Sequence, residues 1–250
     1  MAPLVVVGSI AKVPIYNFVL SVSYVPYNLD ADGKYYLAHC EDNRMTFPNK
    51  KYDNVSLYAN AYFEKIQLAG KSVDRKKLEL AAEHLVDLYG KGNCLFVCGN
   101  GGSAAISGTF VADHVKLIRS DTTLIPRVYS LVDNISTVTA ISNDISYDDV
   151  FSYQLSVYSK PGDTLLTVSS SGDSENVVRA ASWAKRNGMP VIAFTGFEGG
   201  RSAELASINL HVTADNYGVI EDTHQSLMHI LAQYIRLAAM PDSLIDQRKF

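Results

Sequence analysis

The sequence predicts an α/β fold: a three-layer αβα sandwich around a five-stranded parallel sheet, with a small β-rich extension at the N-terminus. Three observations carry this reading. Five short segments beyond residue 90 are apolar almost end to end. Segments of helical periodicity lie between or after them. Two of the apolar segments run straight into glycine- or serine-rich turns that open helices. Strands apolar at nearly every position belong to a parallel sheet covered on both faces, because a sheet with one wet face alternates apolar and polar residues.

Taken in chain order, residues 1–53 hold β-branched and aromatic runs at Leu4–Val7, Ile15–Val22 and Lys34–Ala38, with turn material at Asp30-Ala-Asp32-Gly33. They read as a β-hairpin extension of unknown function. From Asn54 the pattern turns helical through Gly70, and residues 54–250 form the main domain. A second helix starts at Asp74, a residue suited to N-capping, with Leu78, Leu80, Ala82, Leu85, Val86 and Leu88 as its apolar positions. The five strands are Cys94–Cys98, Arg127–Leu131, Thr164–Val168, Val191–Phe194 and Ile208–Val212. Helices are expected from the glycine turn to Lys116, from Ser174 to Asn187 and from Glu221 to Ala239. Pro241 then ends the last one.

The 250 residues are 47% hydrophobic and 19% charged, which excludes disordered, collagen-like and coiled-coil chains. A net charge of −4 gives no support for a nucleic-acid partner. Cys40, Cys94 and Cys98 cannot all pair and form no metal-type array, so a reducing cytoplasm is the expected compartment. The longest uncharged stretch, Val13–Leu29, is broken by Asn17, Ser21, Ser23, Pro26 and Asn28, and no membrane span is expected. The first residues lack a basic region ahead of their apolar run, so no signal peptide is expected.

Three motifs point to chemistry. Cys98-Gly-Asn-Gly-Gly-Ser103 sits at a strand-to-helix junction, where glycines allow close backbone approach and free N–H groups attract an anion. It is no P-loop, since no Gly-Lys-Ser/Thr follows. It is no dinucleotide fingerprint either, with Ala104 in the place of the third glycine, so a nucleotide cofactor is not expected. Ser169-Ser-Ser171-Gly-Asp-Ser174-Glu-Asn also follows an apolar strand. Its hydroxyls and N–H donors gather without a lysine or arginine, which suits a phosphate monoester; the plain alternative is N-capping by Ser171, Asp173 or Ser174. In the third motif, Tyr217 to Leu231, Glu221, Gln225 and His229 recur every four residues on one stripe of a largely apolar helix. Buried glutamate and histidine there are costly unless paired or functional; the plain alternative is a satisfied core histidine beside a surface carboxylate.

In this order, CGNGGSAA, SSSGDSENV, FTGFEGGRSAELA and YGVIEDTHQSLMHIL resemble the sugar isomerase (SIS) domain family, and more narrowly its phosphoheptose isomerase branch. The resemblance covers residues 54–239 and implies an aldose–ketose isomerase acting on sedoheptulose 7-phosphate. It implies a sugar-phosphate pocket built from Asn100, Gly101, Gly102, Ser103, Ser169, Ser170, Ser171 and Ser174, with Asp144 near the sugar hydroxyls. It places a catalytic carboxylate at Asp113 and its partner at His229, with Glu221 either holding His229 in one tautomer or replacing one of the two. It also implies a homotetramer with active sites at subunit interfaces.

Zinc-containing members use a His and a Glu four apart on the first-loop helix plus a Gln and a His on the last. Here those positions are Thr109, Asp113, Glu221 and His229. Asp113, Glu221 and His229 are therefore the candidates for one divalent metal, but this mixture does not specify zinc. The loss of histidine at 109 is equally the mark of a metal-free enzyme or of a domain that has given up catalysis. Two further readings follow: an isomerase of an octose or modified heptose phosphate, and a non-catalytic regulator that binds a sugar phosphate or a replication initiator protein.

Overall fold

The computed structural model describes residues 27–29, 35–37 and 46–250, and it divides into two compact units, 1–43 and 44–250. In the first unit β1 (Tyr27–Leu29) pairs antiparallel with β2 (Tyr35–Leu37). The expected strands at Leu4–Val7 and Ile15–Val22 fall outside the described residues.

The second unit begins with two helices, α1 (Val55–Ser72) and α2 (Arg75–Gly90). Asn54 Oδ1 accepts from the Leu57 amide at 3.0 Å, and Asp74 Oδ1 accepts from Lys76 and Lys77 at 2.9 and 3.2 Å. Each cap satisfies N–H groups that a helix start leaves without partners. The domain's edge lies before residue 54: Phe47 is buried and its ring packs against Tyr52, Tyr58 and Tyr62.

Five parallel strands follow: β3 (Cys94–Cys98), β4 (Arg127–Ser130), β5 (Thr164–Ser169), β6 (Val191–Thr195) and β7 (Ile208–His211). Their order in the sheet is β4-β3-β5-β6-β7. Strand pleating splits the core in two. Leu95, Val97, Leu166, Val168, Ile192, Phe194 and Leu210 pack with α1, α2 and the last helix. Cys94, Phe96, Cys98, Leu165 and Val191 point the other way, into a second cluster. That is the expected αβα sandwich.

The helices on the second face come partly from segments the sequence pattern did not mark. They are α4 (Ile135–Asp144), α5 (Val150–Tyr158), α6 (Glu175–Arg186) and α7 (Gly200–Leu205), whereas α3 (Gly102–Ala112), which follows β3, packs Ile106 and Phe110 into the first cluster beside the last helix. The last helix, α8 (Tyr217–Ala239), starts one turn before Glu221, with Asn216 Oδ1 accepting from Val219 at 3.0 Å. Because β4 lies to one side of β3 and β5 to the other, the chain reverses direction between β3 and β5. Ligands of open α/β sheets bind at the carboxyl ends of strands at such a switch point. Both Gly/Ser-rich loops leave the sheet there.

Candidate active site

The first loop, Gly99–Gly101, closes tightly over the sheet. A side chain at Gly99 would lie 2.7 Å from the Val168 carbonyl, and Gly101 adopts φ +54° with ψ −122°. No side chain caps the start of α3, so its first N–H groups stay available. Ser103 is buried beneath them.

The second loop gives a similar result at α6. Ser174 holds the N-cap position, yet its hydroxyl makes no capping bond. Ser171 Oγ accepts from the Asp173 amide at 3.2 Å and Ser169 Oγ from Gly172 at 3.1 Å. Ser170 is 5% exposed, and its hydroxyl has no partner. Capping therefore does not account for this run of serines. Two helix starts without side-chain caps, on adjacent strands and with serine hydroxyls beside one of them, present neutral donors of the kind that suit an anion.

Asn100, a pocket residue expected from the sequence, links the two loops, and residues that the sequence pattern did not single out, Tyr147, Arg179 and Arg201, brace them. Asn100 and Asn176 exchange amide hydrogen bonds at 2.8 and 3.0 Å, and Tyr147 Oη donates to Asn100 Oδ1 at 2.8 Å. The Asn100 side chain thus ties the first loop to α6. Arg201 holds Asp173 and Glu175, each at 2.9 Å, while Arg179 holds Glu175 and Asp149. Hydrogen bonds from the Arg201 backbone amide and then its guanidinium hold the Asp173 carboxyl below its ordinary pKa, and the Arg179 and Arg201 guanidinium groups do the same for Glu175. Asp144 is exposed at the end of α4 and accepts from Asn143 at 2.8 Å.

Asp113 and His229 meet. His229 Nδ1 lies 2.7 Å from Asp113 Oδ2, and the two side chains are 43% and 24% exposed, open enough to meet a substrate. Asp113 begins a π-helical stretch, Asp113–Ile118, in which α3 widens; such turns recur at functional sites. The neighbouring His114 faces inward, stacked on Phe110 and bonded to Tyr89 Oη at 2.6 Å, and burial lowers its pKa to about 3.

Glu221 does not join that pair. Eight residues before His229 on α8, it sits about 12 Å away along the helix axis. Its carboxylate lies against Gly102, where a Cβ would overlap it. Burial, then the neighbouring Asp222, pushes its pKa up. The expectation that Glu221 orients His229 is therefore corrected: Asp113 and Gln225 do so, Gln225 Nε2 standing 3.0 Å from His229 Nε2. Thr109 Oγ donates to the Ala105 carbonyl at 3.1 Å. The candidate metal set is not assembled in one chain, and among the described residues no three His, Cys, Asp or Glu side chains cluster to hold an ion.

A cleft of about 910 Å³ opens along the edge strand β4, lined by Phe96, Arg127, Tyr129 and Tyr158 among others, and holds none of these residues. Among the described residues no helix is long and apolar enough to cross a membrane.

Comparisons with known proteins agree with this geometry. The SIS domain family matches residues 60–196. A protein named "Probable phosphoheptose isomerase" from Thermoplasma volcanium is 37% identical over 174 residues, covering 70% of this chain and 88% of its own. The phosphoheptose isomerase of Shewanella sediminis is 37% identical over 164 residues, 64% of this chain and 83% of its own. The solved structure of phosphoheptose isomerase from Neisseria gonorrhoeae superposes with a TM-score of 0.66 at 30% identity, over 72% of this chain and 96% of that one. On the fold, the paired loops and these likenesses together, the chain belongs to the SIS domain family, in its phosphoheptose isomerase-like branch.

Proposed function

We propose that this chain is an aldose–ketose isomerase that interconverts sedoheptulose 7-phosphate and the corresponding heptose phosphate. The observation that carries the reading is the pairing of an uncapped, serine-lined anion site at the switch point with the exposed Asp113–His229 couple. The first supplies a remote anchor, whose binding energy orients the reacting end of the sugar. The second supplies proton transfer. Going from ketose to aldose, a C1–H bond breaks and its electron pair forms the C1=C2 bond of an enediol while O2 takes a proton. On collapse a proton returns to C2 and O1 gives up its own. Asp113 and His229 serve as base and acid in these steps, exchanging roles between directions.

The same reading includes assembly into a homotetramer with interfacial sites. It is supported by α1, where Val55, Leu57, Phe63 and Leu68 are exposed and only Ala69 is fully buried. Helices that leave so much apolar surface uncovered mark contact sites. Cytoplasmic residence fits the free, buried thiols of Cys94 and Cys98.

The test is isomerisation of sedoheptulose 7-phosphate in D2O. The proposal expects an aldose phosphate labelled with solvent deuterium at C2. Binding of the ketose phosphate without exchange would make the chain a sugar-phosphate receptor instead. Ketose phosphates of eight carbons, run beside it, identify the preferred chain length.

A further inference from the structure

Both ring nitrogens of His229 are engaged by side chains of its own subunit. Nδ1 lies 2.7 Å from Asp113 Oδ2, and Nε2 lies 3.0 Å from Gln225 Nε2. An ionised carboxylate only accepts, so the ring hydrogen sits on Nδ1 and donates to Asp113. Nε2 then carries a bare lone pair, and the Gln225 amide is its donor. Gln225 is one turn before His229 on α8, the i,i+4 spacing at which two side chains of a helix touch.

A metal at His229 needs a ring lone pair, and neither is free. Glu221, the third candidate, lies against Gly102 and not beside the Asp113–His229 pair, and Thr109, where the family has a ligand, donates its hydroxyl to the Ala105 carbonyl.

We propose that this enzyme transfers its proton without a bound divalent metal, on a hydrogen-bonded Asp113–His229–Gln225 chain in which Gln225 is a positioning residue. Gln225 occupies the nitrogen that a metal would otherwise take, and it holds the imidazole plane in line with Asp113. The activity arm of the test rests on the isomerase reading above; the other two arms do not.

The first arm is the metal content of the wild-type protein, incubated with zinc, passed through gel filtration and assayed by mass spectrometry. Well under one ion per chain is expected, with turnover unchanged by a chelator. One ion per chain, with turnover lost on chelation, overturns the proposal. The second arm is ¹⁵N NMR of the His229 ring. The wild type should show a protonated Nδ1 and a bare Nε2, and Gln225→Met, close in volume, should move the Nε2 resonance in a folded protein. An unmoved Nε2 resonance overturns the role of Gln225. In the third arm Gln225→Met should lower kcat about tenfold, the loss of one aligned hydrogen bond, with KM within about twofold. A rise in KM alone overturns positioning. If no ketose phosphate turns over while the first two arms hold, the isomerase reading fails and the metal-free chain of hydrogen bonds stands.

Discussion

His229 on α8 donates its Nδ1 hydrogen to Oδ2 of Asp113 on the α3 extension at 2.7 Å, joining residues 116 positions apart in sequence. Neither helix alone positions a proton-transfer group, and the pair forms only when both pack on the same face of the sheet. Asp113→Asn keeps the shape and removes the charge and the ability to take a proton. Its kcat is expected to fall by roughly 10²–10⁴, the usual contribution of a general acid or base. His229→Ala should lose turnover to the same degree. Calorimetry with a non-reacting sugar alcohol phosphate should show near-normal affinity for both. Near-normal turnover in either variant removes that residue from the mechanism.

The proposed phosphate site rests on a backbone contact between the serine loop and the loop at Gly199. Gly172 has φ +70°, and a Cβ there would overlap the Gly199 carbonyl. The same glycine's carbonyl accepts from the Ser202 amide at 2.9 Å. Gly172→Ala meets both a left-handed backbone and a rigid wall of main chain, so the loops must separate. We expect a loss of about 3 kcal/mol in urea unfolding, summing about 1 kcal/mol of conformational strain and about 2 kcal/mol of overpacking. Phosphate-ester affinity should fall with it. A variant as stable as wild type would mean that the loops are not packed together in solution.

Arg201 bears on the ligand rather than on the fold. It holds Asp173 and Glu175 at the mouth of the anion site, with side chains about half exposed, a setting in which ion pairs add little to stability. Removing it leaves Asp173 uncompensated, and Glu175 with Arg179 alone, beside an incoming phosphate. Arg201→Gln should therefore raise KM by about three- to tenfold with kcat unchanged, and the effect should shrink in high salt as the charges are screened. A thermal shift without a change in KM would assign Arg201 a purely structural role.

The sequence pattern reached the sheet because its central strands β3, β5 and β6 are buried at every position and so nearly continuously apolar, whereas the edge strands β4 and β7 mix in polar residues. It reached the two loops because glycine and serine runs mark the chain's reversals. α4 and α5 escaped it. Ile135, Thr137, Val138 and Thr139 read as strand by propensity, and the helix forms because Asn134 caps Thr137 at 3.0 Å and Ile141 finds the second core. On α8 the stripe of Glu221, Gln225 and His229 was visible, but one period cannot say which neighbour a side chain reaches. Only packing shows that Glu221 turns to Gly102 and that Gln225 turns to His229. Asp149, Arg179 and Arg201 gave no signal, since isolated charges on a solvated surface look alike until the chain brings them together.

Acid stability is governed by histidines buried uncharged. His224 is fully buried between Phe194 and the Thr195 carbonyl, which is 3.2 Å from its Nε2, and burial lowers its pKa to about 4 from the ordinary 6.5. Between those values the unfolded chain binds a proton that the folded one does not, so stability falls as pH drops below 6.5 and is intact above it. At pH 5 the loss from this residue is about 2 kcal/mol relative to neutral pH. His224→Gln keeps a donor for the Thr195 carbonyl and cannot be charged. It should be less stable than wild type at pH 7.5 because the ring's packing is lost, and that gap should narrow by about 2 kcal/mol at pH 5. Denaturant unfolding of both proteins at the two pH values measures the difference directly. A gap that is constant with pH would mean that His224 is already charged, or already exposed, in the folded protein.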